Sequence, residues 1–168
     1  MRRMTEEALE NAFAGESMAH MKYLAFAEIA EKDGYPNVAR LFTAIAYAEQ
    51  VHATNHARNL GYLKKTTDNL LAGMDGENFE IDEMYPAYAA IAKLQEEKGA
   101  QLAIHYALEA EKIHADMYQD AAASVKQGED IDDESVWVCP VCGHTHRGKE
   151  APDRCPVCKV KKERYKKF

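Results

Sequence analysis

Glu49 and His52, in the stretch AYAEQVHATNH, stand three residues apart, and so do Glu111 and His114 in ALEAEKIHADMY. On a helix a spacing of three places both side chains on one face. Each pair therefore aims a carboxylate and an imidazole at a common point. Three more glutamates, Glu16 in FAGESMAHMKY and Glu80 and Glu83 in FEIDEMYPAY, lie in helical surroundings. Carboxylates of like charge do not converge in an apolar interior unless a cation holds them. Hard oxygen donors with imidazole suit iron or manganese. The plainer alternative is a set of solvated glutamates and surface histidines. It leaves unexplained why Phe13, Phe42, Ile45, Ile104 and Leu108 supply apolar faces in step with them.

The second constellation is sulfur. CPVC occurs at 139–142 and again at 155–158, with 12 residues between. Each C-x-x-C offers two thiolates on one tight loop, and two loops close a tetrahedral site. Cys139, Cys142, Cys155 and Cys158 are the only cysteines, so none remains for a disulfide elsewhere. Four thiolates select zinc or iron, and spacing alone leaves both open.

These side chains need a scaffold. The 168 residues suffice for one core and a small appendage. No apolar run has membrane length, and Met1-Arg2-Arg3 leads directly into polar sequence, which favours the cytoplasm. Residues 1–127 are rich in Ala, Glu and Met with helical periodicity. Residues 128–136, beginning GEDIDDES, read as an acidic linker, and 137–168 hold the cysteines. The last segment carries nine Lys/Arg against three Asp/Glu, a formal +6; the whole chain is −7, so residues 1–136 carry −13.

Four helices are expected in the first segment. The first runs from about Thr5, a plausible N-cap, to Lys32, with Gly34 closing it and Pro36 opening the second. The second ends near Leu60 before Gly61. YLKKTTDNLLAGMDGEN reads as a long connection. The third runs from about Phe79 to Lys98, with Pro86 awkward inside it, and Gly99 marks a turn into a fourth from Ala100 to about Lys126. Two hairpins joined by a long crossover make a ferritin-like four-helix bundle. The halves repeat: at an offset of 62, residues 23–53 match 85–115 at nine of 31 positions, and Glu49 and His52 fall on Glu111 and His114. Glu16 has no partner at that offset, where Asn78 stands; Glu80 lies at 64.

AFAGESMAHMKY, AIAYAEQVHATNH, FEIDEMYPAY, ALEAEKIHADMY and the paired CPVC, in this order, resemble the rubrerythrin family over nearly the whole chain. The resemblance implies a diiron site in the bundle and one iron on the four cysteines. It places the diiron ligands on Glu16, Glu49, His52, Glu80, Glu83, Glu111 and His114. One iron of the family exchanges a histidine for a glutamate ligand with oxidation state, here His52 and Glu83. Two tyrosines near the site match Tyr23 and Tyr88. The implied activity is reduction of hydrogen peroxide to water, protecting against oxidative stress. Electrons would come through the cysteine-bound iron from a separate NAD(P)H-dependent reductase or rubredoxin, since no nucleotide-binding glycine motif occurs here. A ferritin-type ferroxidase is the alternative, although it has no use for the cysteine tail. His56 continues the Glu49–His52 face and reads as a hydrogen-bonded histidine. A homodimer or larger even oligomer is expected, with the basic tail over a neighbour's acidic bundle, because the tail's own dimetal site looks hard to reach.

Overall fold

The computed structural model describes residues 1–168 and separates into two compact units, 1–64 and 65–168. The chain is mainly α-helical, with three short strands at its C-terminal end. No helix is long and apolar enough to cross a membrane.

The first unit is a hairpin of α1 (Arg3–Lys32) and α2 (Pro36–Leu60). Its turn follows the sequence: Gly34 takes φ 84°, and Pro36 starts α2. Gly61, at φ 76°, caps α2. Thr5 is not the N-cap of α1; the helix begins two residues earlier, after Arg2. Alanine lets the helices approach closely. Ala27, Ala30 and Ala39 form a buried cluster under Phe42, and Ala46, Ala53 and Ala57 are buried further along α2. His20 Nδ1–H donates to the Ala46 carbonyl at 2.8 Å, tying α1 to α2.

The second unit departs from expectation at its start. The stretch read as a long connection is helical from Thr66, and only residues 61–65 lie outside helices. Gly73 and Gly76 each cost about 1 kcal/mol of helix propensity, which hides the helix in the sequence. Packing recovers it. A Cβ on Gly73 would stand 3.1 Å from the Tyr118 ring, so glycine admits that ring. α3 (Thr66–Phe79) passes through a π turn (Glu80–Met84) into α4 (Tyr85–Leu94), making one long helical run. Pro86 explains the turn. A proline ring collides with the carbonyl four residues back in a regular α-helix and donates no hydrogen bond. The wider π turn, in which Tyr85 N–H reaches Glu80 O, relieves that conflict. Glu96, at φ 57°, makes the turn into α5 (Lys98–Lys126), so Gly99 lies inside the helix rather than in the turn.

The tail folds as β1 (Val136–Val138), β2 (Thr145–Arg147) and β3 (Lys166–Lys167), antiparallel in the order β2-β1-β3. Its core is Cys139, Cys142, Ala151, Cys155 and Tyr165, with Trp137 and Val160 against it. Tyr106 of α5 also packs on this core. The tail thus sits on α5 of its own chain. The sequence argument measured reach to the middle of a long helix. His114 lies only 12 residues before Lys126, about 18 Å at 1.5 Å per residue. An eight-residue linker spans up to roughly 28 Å and turns back easily.

Candidate metal centre

Each unit brings one carboxylate–carboxylate–imidazole triad together. In the first, α1 supplies Glu16 and α2 supplies Glu49 and His52. His52 Nδ1 lies 2.9 Å from Glu49 Oε2 and 4.0 Å from Glu16 Oε1. In the second, α3 supplies Glu77 and α5 supplies Glu111 and His114. His114 Nδ1 lies 2.7 Å from Glu111 Oε2 and 3.9 Å from Glu77 Oε1. The two geometries are near copies, as the internal repeat requires. In each triad one donor atom per residue falls within 4.8 Å of the others, a spacing that an ion can bridge.

Glu77 is the residue the sequence reading passed over. It lies 61 residues after Glu16, one short of the offset that relates Glu49 to Glu111. A search one residue to either side would have found it. Glu80 borders the same group: burial, then the Glu111 charge, raises its carboxyl above the ordinary value. Glu83, one turn further on, is exposed and lies outside the triad. Tyr88 is about half exposed, whereas Tyr85 is partly covered. Burial and the charges of Glu80, Glu111 and Glu77 raise the Tyr85 hydroxyl, which keeps its proton. Tyr23 stands two turns beyond Glu16 on α1 and packs against Phe42, ring centroids 6.1 Å apart. His56 is partly buried and belongs to neither triad.

The donor chemistry fits a pair of hard cations. Burial and the nearby Glu111 push the Glu77 carboxyl up to about 7, the mark of like charges crowded without a counter-ion. A bound cation removes that conflict.

The four sulfurs fit one ion. Cys139 Sγ and Cys158 Sγ are 3.5 Å apart, Cys142 Sγ and Cys155 Sγ 3.4 Å. Metal–sulfur bonds of about 2.3 Å in a tetrahedron need sulfurs about 3.8 Å apart. Burial pushes the Cys155 thiol up, but hydrogen bonds from the Tyr165 hydroxyl and the Cys158 and Val157 amides outweigh it and bring it to about 6. Tyr165 can donate that bond because its own burial keeps it protonated.

The cysteine loop reaches the second triad. Val141, Cys142 and Gly143 share a crevice of about 340 Å³ with Ala110, Glu111 and His114. Gly143 lies so near Ala110 that a Cβ on it would stand 3.7 Å from the alanine methyl. Ala110 is 3 % exposed, so a larger side chain there has no room. Ala110→Leu is expected to lift the tail from α5 while both metal sites still load. Faster proteolysis of the 128–135 linker, with unchanged metal content, is the result to look for. A linker cut no faster than in the parent protein would count against this contact.

The rubrerythrin family model matches residues 7–122, and the model for the rubrerythrin rubredoxin-like domain matches 137–166. The chain belongs to the rubrerythrin family. Rubrerythrin-2 of Clostridium acetobutylicum is 46% identical over 98% of this chain and 97% of its own length. Nigerythrin of Nitratidesulfovibrio vulgaris is 39% identical, over 92% of this chain and 81% of its own. A solved structure of nigerythrin in a mixed-valence state aligns with a TM-score of 0.58 at 33% identity, covering 98% of this chain and 86% of that one. As a rubrerythrin-family protein, the chain has carboxylate–histidine candidates for a diiron site in its two triads. Its four cysteines form the rubredoxin-like site.

Proposed function

We propose that this protein reduces hydrogen peroxide to water, using electrons that enter through a cysteine-bound iron. The observation that carries the reading is the seating of the Cys142 loop on α5, beside Glu111 and His114. A ferroxidase or iron store has no need for a redox centre held against its carboxylates.

The ligand set we assign is Glu16, Glu49, His52, Glu77, Glu80, Glu111 and His114, with Cys139, Cys142, Cys155 and Cys158 holding the single iron. Iron held by these residues would supply the two electrons needed to reduce the O–O bond. The chain's part is to place the donors and protons. The glutamates neutralise and space the cations. Tyr85, kept protonated by burial and the charges of Glu80, Glu111 and Glu77, is the hydroxyl we assign as a hydrogen-bond donor to substrate at this site; Tyr23 is the candidate on α1. A separate NAD(P)H-dependent reductase or a rubredoxin in the cytoplasm would refill the cysteine iron.

Anaerobic mixing of the fully reduced, iron-loaded protein with hydrogen peroxide tests the reading. Loss of peroxide with return of the red ferric four-thiolate colour is expected. Peroxide that persists, alongside uptake of excess iron, would favour the ferroxidase instead.

The working form is proposed to be a homodimer or larger even oligomer. Phe26, Ile29 and Leu41 of the first hairpin are about half exposed, an apolar face that association would cover. Sedimentation of active protein checks this, and an active monomer at micromolar concentration would refute it.

A further inference from the structure

The two triads match in geometry but not in their backing. His52 Nε2 has no protein partner, and its side chain is 54% exposed. His114 Nε2 lies 2.8 Å from Thr145 Oγ1, a residue of the cysteine tail that is 7% exposed. The Thr145 hydroxyl has a single proton, and it donates that proton to the Gly143 carbonyl at 3.0 Å. Toward His114 it can then only accept. His114 must therefore carry a hydrogen on Nε2, which leaves Nδ1, 2.7 Å from Glu111 Oε2, as the nitrogen that faces the triad and is free to ligate once a cation replaces the proton between them. That is the tautomer in which an imidazole ligates a metal through Nδ1. The chain of bonds continues into the thiolate loop, because Gly143 follows Cys142 and its own N–H donates to the Cys139 carbonyl at 3.0 Å.

We infer that Thr145 is a positioning residue that fixes His114 in its metal-ligating tautomer and joins that ligand directly to the cysteine loop. Docking of the tail and preparation of the ligand are then one event, confined to the second triad. The inference rests on the proposed role of the triads as metal ligands. With iron bound at both sites, each electron passed would oxidise the four-thiolate iron and reduce one iron of the carboxylate pair, and each peroxide would require two such transfers. Neither proton of the Thr145 link is consumed.

The variants are Thr145→Val, which keeps shape but loses the hydroxyl, and Thr145→Ser, which restores it. The first readout needs no turnover. In protein loaded with Zn²⁺ at all sites and labelled with ¹⁵N, the His114 Nε2–H should exchange slowly with water and that of His52 rapidly. Thr145→Val should speed His114 exchange by about tenfold or more, and Thr145→Ser should restore it. A His114 proton as exposed as that of His52 in the parent protein would overturn the inference. So would one still protected in Thr145→Val. The second readout uses reduced, iron-loaded protein and peroxide. Thr145→Val should retain its iron and its red colour, yet reoxidise the four-thiolate iron about tenfold more slowly. An unchanged rate would overturn the coupling. If the peroxidase reading itself is wrong, parent and variants alike leave peroxide untouched, while the Zn²⁺ exchange experiment still decides the role of Thr145.

Discussion

Glu111→Ala is expected to empty the second triad and abolish peroxide turnover. Glu111 Oε2 is the oxygen facing His114 Nδ1 at 2.7 Å, and its charge is also felt by Glu77, Glu80 and Tyr85. Without it, the remaining donors cannot enclose an ion, and the imidazole loses the carboxylate that shares its face. The loss should exceed the ~10–100-fold in affinity or activity that follows removal of a hydrogen-bond partner behind a ligand. Metal analysis after anaerobic reconstitution, together with peroxide consumption, gives the answer. Two irons and normal turnover would sink the assignment. Companion variants separate the glutamates of the π-turn region. Glu77→Gln should lose metal much as Glu111→Ala does, while Glu83→Gln should retain it. The reverse order would restore Glu83 as the ligand and remove Glu77.

Cys142→Ser should leave one round of peroxide reduction intact but stop turnover driven by an external donor. Serine offers a hard alcohol where a soft thiolate is needed, so the single iron is lost or its potential displaced. The carboxylate triads stand on α1, α2, α3 and α5 and contain no group from that loop. Chemically reduced variant should therefore consume peroxide once. Its donor-driven rate should fall beyond the ~100-fold upper range for loss of a supporting bond. Sustained turnover with the four-thiolate site empty would show that electrons reach the carboxylates by another path.

The chemistry was legible in the sequence wherever spacing alone dictates geometry. Glu49 with His52, Glu111 with His114, and the two CPVC loops need only a helix or a tight turn to bring their donors together. The sequence pointed to Glu80, Glu83 and Tyr88 but not to Glu77 or Tyr85, which the structure sets beside Glu111. A regular period was assumed where Pro86 forces a π turn. The helix at 66–79 was hidden because its glycines disfavour helix until Tyr118 packs over Gly73, a contact between residues far apart in the chain. The docking of the tail was invisible for a related reason. It depends on Ala110 being small and on Thr145 meeting His114, pairings that no local pattern records.

The backbone under the proposed ligands differs in regularity. Glu16, Glu49, His52, Glu77, Glu111 and His114 all rise from regular α-helix, where each residue is clamped by hydrogen bonds to the next turn. Glu80 alone stands on the π turn, whose wider loop leaves the main chain its softest support. Among the imidazoles, His114 is braced from behind by Thr145, whereas His52 is held only at Nδ1, by Glu49. Within the second unit, compliance is therefore concentrated at Glu80, while Glu77, Glu111 and His114 stand on straight helix. Were a metal held there to change its preferred bond lengths with its charge, Glu80 would be the side chain of that unit best placed to take up the displacement, as the unbraced His52 would be in the first unit.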